Sequence, residues 1–350
     1  MGALTPSFLV KFEDRMRAIT ENEYARLTSN LWWQNVAKVS PSQSAREMLT
    51  WLLATATIKD QGKGGNIAFD DLVATFTTIE NRYSGAGLKI TKAQLTDLYN
   101  GIVGGQGMDI GAKWAADIGA YMAYWPQKQT STLLKTGDVL ASVTAYDAKA
   151  FFASDHPLNP FNVALGTYAN LHKTSGGASG AGALPIDDSV SVDVALTNMA
   201  KLFSYIATIK MPNGEDPRFL RPRGILCSPR LFPRAVQLTN AKFIAQAASS
   251  GGGSGDVEAL IKALGYATPW MADELAGFES DTTYFVICEQ ISASQLGGVI
   301  YQEREPFAIN YYDTQTQAQL NRAQELEWHC IGRNAIAPGH PYLVHKVKGA

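Results

Sequence analysis

The stretch MPNGEDPRFLRPRGILCSPRLFPRAVQL, residues 211–238, holds three kinds of local structure in succession. Met211–Asp216 is a turn, because Pro212, Asn213 and Gly214 supply the fixed and left-handed backbone angles that turns use. Gly224–Ser228 is a short apolar strand, ended by Pro229, which cannot donate to a ladder. A helix follows it. Downstream, YFVICEQ at 284–290 has a continuous apolar run, Tyr284–Cys288, that predicts a buried strand. Upstream, Asp187, Asp188 and Ser189 can cap a helix whose stripe is Val192, Leu196, Met199, Phe203 and Ile206. Residues 186–290 therefore read as a compact α/β unit. Within it, Ala247–Gly255 is a low-complexity loop, and Asp256 caps a helix to Leu264.

Outside this unit the pattern changes. Residues 297–350 are strand-rich, with Leu326, Trp328 and Cys330 alternating against Glu325, Glu327 and His329. Residues 7–29 predict an amphipathic helix carrying Leu9, Phe12, Met16 and Ile19. Its own segment gives that stripe little to pack on. Residues 46–83 predict a long two-stranded ribbon. Trp51 and Leu53 share one face of its outgoing arm, Phe76 and Ile79 lie on opposite faces of its return arm, and Gly62–Gly65 lies at its turn. Such a ribbon is marginal alone in water. A short helix opened by Thr91 is expected at 90–100. A longer one at 108–132 carries the stripe Ile110, Trp114, Ile118, Met122 and Trp125. That helix is apolar nearly all round and so should be buried, with Pro126 kinking it or ending its first part. Residues 139–172 begin strand-like and continue through the turn-rich DHPLNPFN, Asp155–Asn162. Gly176–Gly182 is a flexible loop. No repeat of solenoid or propeller length occurs.

Charged residues make up 18% of the chain, against about a quarter in ordinary globular proteins. That shortage points to a surface partly covered by partners. A net charge of −2 gives no basic excess for specific nucleic-acid binding. Cys227, Cys288 and Cys330 are too widely spaced for a zinc motif or a disulfide framework and read as buried thiols in a reducing compartment. The N-terminus lacks a signal-peptide pattern, and no apolar run approaches the ~20 residues of a membrane span.

Catalytic, cofactor and metal sites are not expected. There is no Walker A sequence, no GxGxxG and no GxSxG. The histidines at 156, 172, 329, 340 and 345 form no HExxH. Ser154, Asp155 and His156 are adjacent, whereas triads meet in space and not along the chain. Glu303 and Glu305 read as a strand face with ion pairs sooner than as an acid/base pair. Trp32, Trp33 and Trp51 read as core or interface anchors.

The tract AFFASDHPLNPFN at 150–162, the opening 211–238 stretch, YFVICEQ, YQEREPFAINYYD at 301–313 and ELEWHCIGR at 325–333 resemble, in this order, the major head proteins of Mu-like phages and prophages. These belong to the Hong Kong 97-like capsid fold, an α+β fold. The resemblance implies an N-arm at 1–44 and an extended loop at 45–88. It further implies a peripheral domain with a spine helix at 89–185, an axial domain at 186–290, and return strands of the peripheral domain at 291–350. It implies a major capsid protein that self-assembles through pentamers and hexamers into an icosahedral head around double-stranded DNA, contacted non-specifically. A separate scaffolding protein, a portal and decoration proteins would be its partners. It would assemble in the host cytoplasm and end in the virion, with no membrane and no cofactor.

On this reading Leu9, Phe12 and Met16 of the arm, and Trp51, Leu53, Phe76 and Ile79 of the ribbon, are the inter-subunit contact candidates. An encapsulin-like nanocompartment shell is the first alternative. An unrecognised soluble α/β enzyme is the second, and a ring- or tube-forming tail or adaptor protein is the third.

Overall fold

The computed structural model describes residues 6–52, 74–91, 93–94, 97, 110–174, 183–240, 267–290, 297–311 and 325–349. The ribbon turn with Leu53, the glycine loop at 176–182, and the loop and helix expected at 247–264 lie outside the described residues. In chain order the elements are α1 (Pro6–Thr28), α2 (Trp33–Val36), β1 (Ala37–Pro41), β2 (Arg46–Leu52), β3 (Ala74–Glu80), β4 (Arg82–Thr91), α3 (Ile110–Thr136), β5 (His156–Pro157), β6 (Thr167–Tyr168) and β7 (Leu171–Lys173). There follow α4 (Val192–Ala207), β8 (Leu220–Cys227), α5 (Phe232–Asn240), β9 (Thr268–Met271), β10 (Tyr284–Gln290), β11 (Val299–Tyr311), β12 (Glu325–Pro338) and β13 (Val344–Lys348).

The strand from the opening stretch, β8, is the fourth of five in a mixed sheet ordered β7-β13-β10-β8-β9. Its neighbour β10 is antiparallel, with Tyr284 opposite Cys227 and Val286 opposite Ile225. Alternate residues serve two cores. Ile225, Cys227, Tyr284, Val286 and Val347 meet Leu196, Met199, Leu202 and Phe203 of α4. Leu226, Phe285, Ile287 and Val344 meet Trp33, Leu134, Phe151 and Phe152 on the other side. A sheet covered on both faces has no polar alternation to show, which is why these strands read as continuous apolar runs. The fit is tight at Gly224, where an added Cβ would lie 2.0 Å from the Trp270 ring.

Several expectations need correction. The α/β unit does not stop at 290 or start at 186. Its sheet takes β7 from one flank, and β13, expected among the returning peripheral strands, sits between β7 and β10. The α4 cap is Ser191, whose hydroxyl accepts from Val194 N, while Asp187 accepts from Ser189 N. Residues after 136 form turns, with a bridge between Thr144 and Ala150, in place of a strand. α3 continues through Pro126. A proline removes one intrahelical hydrogen bond, but Ala115 and Ile118 before it and Leu133 and Leu134 after it are all buried, so packing on both sides holds the helix together.

The second sheet, β1-β11-β12-β4, carries α3 against β12, and α1 lies on α3. α1 and α3 touch backbone to backbone at Gly119, where a Cβ would stand 2.5 Å from the Thr20 carbonyl, and Thr20 Oγ1 donates to Ala115 O at 2.9 Å. Met16 is 1% exposed.

Two buried polar clusters tie distant segments. Lys346 has no exposed side-chain surface. Its Nζ lies 3.2 Å from Asp138 and 3.1 Å from Glu279, and Lys348 reaches Asp138 at 2.6 Å. Burial pushes the Asp138 carboxyl up, but the bonds and charges of Lys348 and Lys346 outweigh it and hold it below its ordinary value. In the second cluster, Asn170 Nδ2 donates to the carbonyls of Phe151, Pro341 and Val344, and its Oδ1 accepts from Ala153 N. With Asn170 so oriented, the facing His156 Nε2 at 3.1 Å is a donor, and His156 Nδ1 meets Asp147 at 2.6 Å.

Candidate inter-subunit surfaces

β2 and β3 pair antiparallel, with Met48 opposite Thr78 and Thr50 opposite Phe76. One face of this ribbon carries Met48 at 63% exposure and Phe76 at 62%, an apolar pair that the described residues leave open to solvent. The other face points inward. There Ile79, 4% exposed, packs with Tyr146, Ile300 and Ala337.

The ribbon root is fixed by polar bonds. Asn81 Nδ2 donates to Ser42 Oγ at 2.8 Å and to Ser44 O at 3.0 Å. Gln302 Nε2 donates to Glu47 Oε2 at 2.6 Å. Burial would raise the Glu47 carboxyl, but bonds from Gln43, Ser42, Ser44 and Gln302 hold it below its ordinary value. A rigid root with an apolar blade is the form of an element made to lie on something.

Two of the seven contact candidates are therefore corrected. Met16 and Ile79 are covered by their own chain and have no surface to offer a neighbour. Phe76 is exposed. Leu9, Phe12 and Trp51 lie on α1 and β2, but their side chains are outside the described residues, as is Leu53 altogether.

Sequence reasoning missed a second apolar surface. A groove of about 700 Å³ runs between α3 and the β4–β12 edge, lined by Tyr83, Trp114, Ile118, Tyr121, Trp125 and Phe307 among others. Tyr121 is 68% exposed and Tyr83 65%, with Arg333 stacked 4.7 Å over the Tyr83 ring. The expectation that α3 is buried all round is thus wrong for this side. Of its stripe, Ile118 is buried, while Trp114, Met122 and Trp125 are half-covered. The one signal was Tyr121 itself, an aromatic with a polar tip outside the stripe.

The residue types that could have carried catalysis are placed otherwise. Asp155 pairs with Lys149 at 2.5 Å, so Ser154, Asp155 and His156 form no triad. His345 Nε2 lies 3.1 Å from the Tyr342 carbonyl and its Nδ1 lies 3.2 Å from His172 Nε2. His340 stacks instead on Tyr342. All three cysteines are buried and free, and burial pushes the Cys227 thiol up to about 12 and that of Cys330 to about 11, far from a reactive thiolate. Among the described residues no group of three or more His, Cys, Asp or Glu could hold a metal ion, and no described helix is long and apolar enough to cross a membrane.

The fold is similar to that of tailed-phage capsid proteins. The chain resembles the capsid protein of the cyanophage P-SCSP1u with a TM-score of 0.53 at 10% identity, covering 90% of this chain and 86% of that one. It resembles the mature capsid subunit of bacteriophage PhiM1 with a TM-score of 0.51 at 10% identity, covering 92% and 87%. With the capsid of bacteriophage JBD30 the TM-score is 0.46 at 12% identity, covering 90% of this chain, which spans 63% of the length of that one. No curated protein sequence matches. The fold is thus α+β and Hong Kong 97-like. The family model described as Mu-like prophage major head subunit gpT matches residues 12–192, just over half of the chain, and the chain belongs to that family. It is a structural component of the virion capsid and not an enzyme.

Proposed function

We propose that this chain is the repeating subunit of an icosahedral phage head, assembling through pentamers and hexamers around double-stranded DNA. The exposed Met48–Phe76 face of the rooted ribbon supports this reading most directly. In the assembled state that face lies on the groove lined by Tyr83, Trp114 and Tyr121 of the next copy. Such a contact is heterologous, and heterologous contacts repeated around a rotation axis close into rings. α1 with Leu9 and Phe12 serves as the N-arm, α3 as the spine helix, and the five-stranded sheet with α4 and α5 as the axial unit around the five- and six-fold axes. Trp51 and Leu53 add to the ribbon contact. A scaffolding protein, a portal and decoration proteins complete the particle.

Negative-stain microscopy of the purified chain is expected to show rings or closed shells. A monodisperse monomer at high concentration overturns the reading. Phe76→Asp is expected to block shells while leaving subunit stability within about 0.5 kcal/mol, as for an exposed site.

A further inference from the structure

We infer that the cavity enclosed by α1, α2, α3 and the β1–β11 edge receives a basic side chain, arginine or lysine, from a second copy of this chain. The cavity measures about 320 Å³ and has aromatic walls from Tyr24, Trp33 and Tyr301, with Glu21 and Glu303 among its lining. Aromatic faces combined with carboxylates are the chemistry that recognises a cation. The walls are already set. Trp33 meets Tyr301 edge to face at 5.3 Å, and the Tyr301 hydroxyl, raised by burial, also feels Glu303 and Tyr24.

One feature of the cavity is unfinished. Glu303 is half-buried on β11, opposite Pro41 of β1, and burial raises its carboxyl with no cation among the described residues to offset it. A carboxylate partly withdrawn from water without a counter-ion costs free energy that a bound cation restores. An anionic occupant would deepen that defect, and an apolar one would leave it. The volume takes the end of a long side chain together with its methylene stem. Tyr24 and Val39, which also line it, are exposed, so the cavity opens at the subunit surface, within reach of a neighbour. The choice of a second copy as the source rests on the head-subunit reading; the cation chemistry does not.

The full chain, kept below its assembly concentration and labelled with nitrogen-15 at tryptophan, is titrated with n-butylguanidinium chloride. A saturable shift of the Trp33 indole resonance is expected. Glu303→Gln is expected to weaken it on the order of tenfold, and neutral n-butylurea is expected not to bind. Should Glu303→Gln fail to fold, Glu21→Gln, at an exposed position, is expected to weaken binding in the same direction. No saturable shift, or equal affinity for the urea, overturns the cation site. A cryo-microscopy map of the shells is expected to show a neighbour's basic side chain in the cavity. A cavity filled by its own chain or by a free amine overturns the second-copy source. If the wild-type chain forms no shell at all, the head-subunit reading and that source fall together, and the titration alone judges the cation site.

Discussion

His345 and His340 are neutral for a common physical reason, burial. For His345 the nearby His172 adds to it. For His340 burial and the positive Arg218 pull the imidazole down to about 3. The unfolded chain binds these protons near the ordinary value of 6.5, so it gains protons first as pH falls. The contribution of His340 is therefore complete above pH 6.5 and is lost from there down towards about 3, at about 1.4 kcal/mol per pH unit, and His345 acts in the same direction. Urea midpoints measured from pH 7.5 to pH 4.5 are expected to fall steadily, and a flat profile across that range would refute the assignment. Lys346 presents the opposite case, a cation that is buried and paired. Lys346→Ala leaves Asp138 and Glu279 with only the partly exposed Lys348, and is expected to cost about 3 kcal/mol. Lys348→Ala is expected to cost under about 1 kcal/mol, because its charge stands partly in water. Chemical denaturation of the two variants checks the ranking.

The ribbon and α1 show how differently two apolar stripes can be used. Met16→Ala and Ile79→Ala each empty a site covered by the same chain, and each is expected to destabilise the subunit by about 2–4 kcal/mol in thermal or urea unfolding. The ribbon variant Phe76→Asp is expected to do the reverse, sparing the fold and stopping assembly. Periodicity and residue type located α1, both ribbon arms, α3, α4, the strand after Pro222 and the strand at Tyr284. They could not say what covers each stripe. Met16 and Phe76 obey the same spacing rules, yet one is buried at 1% exposure and the other meets solvent at 62%. The Tyr121 groove was illegible for the same reason, since it exists only where α3 crosses β4 and β12. Pro126 does not end the helix, because a single lost hydrogen bond weighs little against four buried neighbours along it.

At the scale of the molecule, β13 is the piece that local pattern could not place. It pairs parallel with β7 and antiparallel with β10, and its Val344 and Val347 contribute to both cores. Removing Val344–Lys348 is expected to abolish cooperative unfolding altogether, because it opens the middle of a sheet and not its edge; circular dichroism of the truncated chain checks this. The position of that strand also sets a timetable. Chains fold from the front as they are synthesised, but here the central slot stays vacant until Lys348 has cleared the ribosome exit tunnel. A half-made polypeptide thus has no finished body to offer its sisters, and lattice growth waits for translation to reach that point.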